Sequence, residues 1–205
     1  MKEFKNFING QFVTTASGKT FENRCPVDNS LIGLVHEAGQ SEVDSAVTAA
    51  KEAMTGPWGK MTQAQRIQLL NKVADRINER FDEFLEAECL DTGKPQKIAS
   101  HIDIPRGAAN FKAFSETLAN HPTEAFKLDT PDGASALNYG HRTPKGVIAV
   151  ISPWNLPLLL MTWKVGPALA CGNTVVVKPS EETPATATLL GEVMNECGVP
   201  EGVYN

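Results

Sequence analysis

The sequence predicts an α/β fold: part of a doubly wound parallel sheet, preceded by a small β ribbon, a helical region and one extended arm strand. Three observations carry this. Two runs rich in β-branched residues, Gly146-Val147-Ile148-Ala149-Val150-Ile151 and Thr174-Val175-Val176-Val177-Lys178, are continuously apolar up to their last residue, the pattern of strands buried on both faces. Helical stretches follow each of them, at about Leu158–Ala170 and Pro184–Glu196, and Val203-Tyr204-Asn205 reads as the opening of a third strand. Strand, helix, strand, helix, strand is the order that winds a parallel sheet, with ligands at the carboxyl ends of its strands.

The remaining elements follow from local signals. In residues 1–36, Asn9-Gly10 sits between Phe7-Ile8 and Phe12-Val13, and Pro26-Val27-Asp28-Asn29 separates two further extended runs, so hairpins are expected. Ser41-Glu42-Val43-Asp44 has the form of a capping box and opens a helix with Val43, Ala46, Val47, Ala50 and Met54 on one face, stopped by Gly56-Pro57. Thr62-Gln63-Ala64-Gln65 begins a longer apolar stripe, Ile67, Leu70, Val73, Ile77, Phe81, Phe84 and Leu85. Two helices are expected there, broken near Arg80-Phe81 and stopped by Gly93 and Pro95. A further amphipathic stretch runs from about Ile98 to Leu118, kinked or begun at Pro105. From Asp129 the Gly, Pro and Asp content rises, then gives way to Ala134–Tyr139, an exposed strand. The resulting division is 1–130 for ribbon and helices, 131–144 for the arm strand and 145–205 for the sheet. Because the third strand is only begun at Asn205, the domain is expected to continue past the residues present.

Composition narrows the function classes. The chain has 205 residues, 41% hydrophobic and 21% charged, with a net charge of −5, values typical of a soluble globular protein. Its scattered Lys and Arg give no patch for a phosphate backbone, so nucleic acid is not an expected partner. The charged start Met1–Lys5 and the lack of a long apolar run point away from a signal peptide or membrane span and toward the cytoplasm. Cys25, Cys89, Cys171 and Cys197 form no C-x-x-C pair and no cluster with histidine, so reduced thiols are expected rather than disulfides or zinc. His36, His101, His121 and His141 likewise read as surface or capping residues, and no metal is expected. Gly18-Lys19-Thr20 resembles the end of a phosphate-binding loop, but Val13 stands where its first glycine belongs.

The segment Ile151-Ser152-Pro153-Trp154-Asn155-Leu156-Pro157 lies at the carboxyl end of the first buried run, where such a sheet binds ligands. Gly166-Pro167-Ala168-Leu169-Ala170-Cys171-Gly172-Asn173 leads into Thr174–Lys178 and then Pro179-Ser180-Glu181, and Gly198-Val199-Pro200-Glu201-Gly202-Val203 follows. In these three motifs, in their order and spacing, the chain resembles the aldehyde dehydrogenase superfamily from about Lys5 to its last residue. The run Ile102-Asp103-Ile104-Pro105-Arg106-Gly107-Ala108-Ala109-Asn110-Phe111 is most similar to that superfamily's hydroxymuconic and aminomuconic semialdehyde dehydrogenases.

The resemblance implies roles. Asn155 donates a hydrogen bond to the aldehyde oxygen as it becomes an oxyanion, a neutral donor suited to that task; capping of the following helix is the competing reading. Ile151, Ser152, Pro153 and Trp154 line an NAD cofactor through backbone and ring contacts, Lys178 and Glu181 hold its adenosine ribose, and Ser180 belongs to the same cofactor site. The Glu181 carboxylate favours NAD over NADP by repelling a 2′-phosphate. Leu156, Leu160 and Trp163 line the aldehyde tunnel, with core packing equally open for Leu160. Arg106 faces the substrate side, where a guanidinium clamps a carboxylate; a solvated helix position is the alternative.

In the superfamily a cysteine attacks the aldehyde to form a thiohemiacetal and a glutamate activates the hydrolytic water. Neither is matched here, so residues 1–205 alone are expected to be inert and the intact protein to oxidise a carboxylated semialdehyde. The resemblance also makes the arm Ala134–Thr143 a subunit-pairing element of a homodimer or homotetramer. Two alternatives stay open at this point: a non-catalytic dinucleotide-binding module, and a dehydrogenase for another aldehyde such as betaine aldehyde.

Overall fold

The computed structural model describes residues 2–205 and begins with a ribbon of five short strands: β1 (Glu3–Phe4), β2 (Asn6–Ile8), β3 (Gln11–Val13), β4 (Thr20–Arg24) and β5 (Leu31–His36). β2 and β3 form the expected antiparallel hairpin, and Asn9 (φ 50°) with Gly10 (φ 76°) takes the left-handed turn that an Asn-Gly pair tolerates. β4 and β5 form the second hairpin, and β1 adds to β5 in parallel.

Helices follow. α1 (Gln40–Thr55) begins two residues earlier than the Ser41 box predicts: its N-cap is Gly39, whose N–H donates to the Glu42 carboxylate at 2.8 Å. The other Glu42 oxygen accepts from the Ala16 N–H at 2.9 Å, so the box also ties the helix to the ribbon. These two backbone N–H groups hold the Glu42 carboxyl far below the usual carboxylate range. After a single turn, α2 (Pro57–Lys60), come α3 (Gln63–Glu79), capped by Thr62 and Gln65, and α4 (Phe81–Thr92), with the break at Arg80 as expected. Buried Arg80 accounts for that junction, since its guanidinium meets Glu83, Glu192 and Glu196 and anchors the α3–α4 corner to a helix over a hundred residues away.

In the 98–118 stretch Pro105 marks the effective start of the α-helix, one of its two expected roles. The stretch resolves into α5 (Gln96–Ile98), a π turn (Ala99–Asp103) and α6 (Ile104–Ala119), with Pro105 in the first turn of α6, where its missing N–H costs nothing. Next, β6 (Ala125–Asp129) pairs antiparallel with β7 (Ser135–Tyr139). The expected arm strand is thus one half of a hairpin, and a boundary at 130/131 cuts through it. Both strands are almost wholly exposed.

The parallel sheet then forms as predicted: β8 (Val147–Ile151), α7 (Pro157–Ala170), β9 (Thr174–Lys178), α8 (Ala185–Glu196), and a parallel bridge from Val175 to Tyr204 that begins the third strand. The expectation that β8 is buried on both faces is corrected. Only Val150 is buried in it, and Ile151 is 70% exposed, because among the described residues nothing covers the face of the sheet that carries Ala149 and Ile151. β9, in the middle, begins with fully buried Thr174 and Val175.

The core lies between α3, α6, α7 and α8, filled by Leu70, Ile77, Phe84, Ile104, Phe111, Leu158, Met161, Leu169, Leu190 and Met194. α6 and α7 approach closely at Gly107, where an added Cβ would come within 2.8 Å of the Leu158 side chain. Among the described residues no helix is long and apolar enough to cross a membrane, and no cluster of His, Cys, Asp and Glu could hold a metal ion.

Candidate functional site

The carboxyl ends of β8 and β9 lie side by side. The Ser152 N–H donates to the Lys178 carbonyl at 3.2 Å, extending the ladder one step past β8 before the chain turns away. Residues 152–156 form that turn, and α7 begins at Pro157. Lysines grip the carbonyls at both ends: Lys164 Nζ donates to Ile151 O at 2.5 Å, and Lys94 Nζ donates to Asn155 O at 2.9 Å. A short segment fixed at both ends presents what lies between in a defined direction.

Asn155 is exposed on this rim. Leu156, not Asn155, occupies the N-cap position of α7, and the Asn155 side chain bonds none of its N–H groups, so the capping reading fails. Among the described residues the Asn155 bond that holds the loop is made by its backbone carbonyl, and its side-chain amide is left to solvent. Ile151, Pro153 and Trp154 share the rim, with Trp154 62% exposed.

On the neighbouring strand end, Lys178 Nζ and a Glu181 oxygen pair at 2.8 Å, both exposed. The Lys178 ammonium holds the Glu181 carboxyl below its ordinary range, so Glu181 is a carboxylate at neutral pH. Two predicted cofactor residues do not reach this surface. Ser152 is buried, and Ser180 is buried in the turn after β9, where its hydroxyl accepts the Glu182 N–H at 3.3 Å. Serine in such a position satisfies the backbone of its own turn, and that local demand outweighs any outward role for the side chain.

The α6–α7 pair supplies the other wall. Exposed Arg106 places its guanidinium 5.9 Å from the centroid of the Trp163 ring, within range of a cation–π contact that orders both side chains. Leu156 and Leu160 are half-buried beside them, between the tunnel and packing readings.

Sequence reasoning missed a charged cluster beneath the rim. Glu88 on α4 and Asp103 in the π turn are fully buried, and Lys94 pairs with Asp103. The signal was present: Glu88 falls at the i+3 and i+4 positions after Leu85 and Phe84, on the apolar stripe, where a charge is out of place. Burial, then the nearby Asp103 carboxylate, pushes Glu88 up to about 8. Folded, it therefore keeps a proton at neutral pH that the unfolded chain has released. Its contribution to stability is fully present below the ordinary glutamate range and is lost as pH rises through about 8. Glu88→Gln mimics the protonated form at all pH values. In melts of the intact protein the variant is expected to gain on the wild type by roughly 4–5 kcal/mol between acidic and mildly alkaline buffer, since each tenfold difference in proton affinity between folded and unfolded chain is worth about 1.4 kcal/mol. A gap that stays constant across that range would contradict a buried, protonated Glu88.

Cys25 is buried, and burial pushes the thiols of Cys89 and Cys197 up, away from the reactive thiolate. Cys171 is exposed but caps the far end of α7, on the order of 20 Å from Asn155 at 1.5 Å per residue.

Comparison with known proteins accords with this geometry. The sequence pattern described as "Aldehyde dehydrogenase family" matches residues 12–205. The whole chain aligns at 69% identity with 42% of the 2-hydroxymuconic semialdehyde dehydrogenase of Pseudomonas sp. (strain CF600). It aligns at 56% identity with 41% of the 2-aminomuconic 6-semialdehyde dehydrogenase of Pseudomonas sp.. Among solved structures, the NAD+ complex of an aldehyde dehydrogenase from Bacillus cereus superposes with a TM-score of 0.93 at 39% identity, covering 100% of this chain and 41% of that one. The chain thus spans about two fifths of the length of these relatives. A match over nearly all its residues, on a fold shared almost strand for strand, makes this chain a member of the aldehyde dehydrogenase family.

Proposed function

We propose that this chain supplies part of the cofactor site and the oxyanion donor of an NAD-dependent dehydrogenase that oxidises a carboxylated, muconic-type semialdehyde to its acid. The observation that carries the reading is Asn155, whose amide stands free at the carboxyl end of β8 on a backbone pinned at both ends. When a thiolate adds to an aldehyde, the carbonyl oxygen gains a full negative charge, and a neutral donor already in place stabilises it without reorganising. The thiolate and the water-activating carboxylate come from outside these residues, and the isolated chain is inert.

The rim suits NAD, which when bound supplies the hydride acceptor. Ile151, Pro153 and Trp154 offer an exposed apolar ledge, and Glu181 an ionised carboxylate able to accept both ribose hydroxyls. That same charge disfavours a 2′-phosphate. Lys178 keeps Glu181 ionised and oriented. Ser152 and Ser180 serve by shaping the two turns, the first through its ladder N–H.

Arg106 selects the substrate. Its guanidinium, steadied against Trp163, offers paired donors to the carboxylate that a muconic semialdehyde carries far from its reacting carbon, and Leu156 and Trp163 form the apolar wall between the two ends. The hairpin β6–β7 exposes Phe126 and Leu128 on one face and Leu137 and Tyr139 on the other, apolar surfaces suited to pairing subunits in a homodimer or homotetramer. The functional units are then the ribbon and helices, a 125–139 arm, and the sheet from 145 onward.

The test is NADH formation by the intact protein given 2-hydroxymuconic or 2-aminomuconic semialdehyde. Arg106→Ala is expected to raise the KM for the carboxylated substrate about 10- to 100-fold, the scale of one lost charge-assisted pair, with kcat little changed. An unaltered KM would remove the carboxylate from the assignment and leave an aldehyde dehydrogenase of another specificity.

A further inference from the structure

The cluster beneath the rim meets the Asn155 turn at two points. Lys94, half-buried in the loop after α4, donates to Asn155 O at 2.9 Å while paired with fully buried Asp103. Glu88 Oε2 accepts the Leu158 N–H at 3.4 Å, in the first turn of α7. Asp103 Oδ1 and Glu88 Oε1 are buried with no partner among the described residues. A buried pair of this kind is a poor source of stability, because removing charge from water offsets most of the attraction. What it does achieve is to fix one carbonyl in a turn that packing does not cover.

We propose that Lys94, locked in place by Asp103, is a positioning residue: it fixes the peptide plane after Asn155 and thereby aims the Asn155 amide at the aldehyde oxygen. The proposal rests on the oxidoreductase reading above. The plane of that peptide sets ψ of Asn155, and the side chain has no partner of its own to hold it, so its direction is inherited from the backbone. Lysine fits because one ammonium offers three donors, enough for the Asp103 carboxylate and the carbonyl together. Asp103 reaches it from a π turn, an irregularity that re-aims a helix face and is frequent at functional sites. Lys164 secures the other end of the segment through Ile151 O, so loss of Lys94 frees only the end that carries Asn155.

Lys94→Met alone leaves Asp103 buried without its partner and can fail to fold, so the main test removes both charges, as Lys94→Met with Asp103→Asn. In the intact protein, on whichever aldehyde the wild type oxidises, this pair is expected to lower kcat about 10- to 100-fold, the scale of a misplacement of about 1 Å. KM and NAD affinity should stay within about twofold, and Lys94→Arg, which keeps a charged donor, should recover most of the rate. Added to Asn155→Ala, the neutral pair should cost nothing further, because both changes remove the same interaction. Amide hydrogen exchange at residues 155–158 should quicken in the neutral pair while the rest of α7 keeps its protection. A kcat within about twofold of the wild type, or losses that multiply with Asn155→Ala, would overturn the proposal. Should the wild type oxidise no aldehyde, the functional reading fails by itself, and exchange still decides whether Lys94 holds the turn: unchanged protection at 155–158 refutes it.

Discussion

Asn155→Ala in the intact protein is expected to reduce kcat by about two to three powers of ten, the loss of roughly 3–4 kcal/mol measured when one oxyanion donor is removed elsewhere. The loss should fall on kcat with little change in NAD affinity, because the amide meets charge that exists only once the thiolate has attacked. Asn155→Asp should be worse than alanine, since it sets a carboxylate beside a developing anion. Single-turnover NADH formation is the measurement, as it isolates chemistry from product release. A single-turnover rate within about threefold of the wild type would mean that other donors stabilise the oxyanion and that Asn155 is incidental to the rim.

The rim was legible in the sequence because its parts are local. A β-branched run ending in Pro-Trp-Asn places Asn155 at a strand end, and β9 falls on Thr174–Lys178 as predicted. The helix break at Arg80 was visible in the stripe. Less legible was everything that depends on what packs against what. Whether both faces of β8 are covered is a property of its neighbours, so its apolar sequence misled about Ile151. Ser152 and Ser180 lie in a motif whose neighbours face outward, yet both are buried, and the Ser180 hydroxyl serves the backbone of its own turn. The start of α1 moved by two residues because Glu42 found a partner in the ribbon, at Ala16, that no local pattern announces. The Glu88, Lys94 and Asp103 cluster assembles from α4, a loop and a π turn, and only its single out-of-place charge on the α4 stripe hinted at it.

Trp58 marks the other end of β9 and carries the largest expected effect on stability. Its ring is fully buried in the one-turn helix α2, and its indole N–H donates to the carbonyls of Gly172 at 3.2 Å and Asn173 at 3.1 Å, in the turn that delivers the chain into β9. Trp58→Ala removes both the packing and the donor, and is expected to cost about 3–5 kcal/mol for the cavity, with roughly 1 kcal/mol or more for carbonyls left without a partner. For a domain of this size that lowers Tm by about 10 °C. Trp58→Phe separates the two contributions: it keeps most of the volume and loses the N–H, so about 1–3 kcal/mol should go. Neither change should reach the chemistry. A strand of five residues spans about 17 Å, which sets Trp58 at the amino end of β9 while Asn155 and Glu181 stand at the carboxyl end. Folded Trp58→Phe should therefore turn over at the wild-type kcat with a lowered Tm. The opposite pattern, an unchanged Tm with a reduced kcat, would show that the two ends of β9 are coupled and that the rim is less rigid than its two lysine anchors imply.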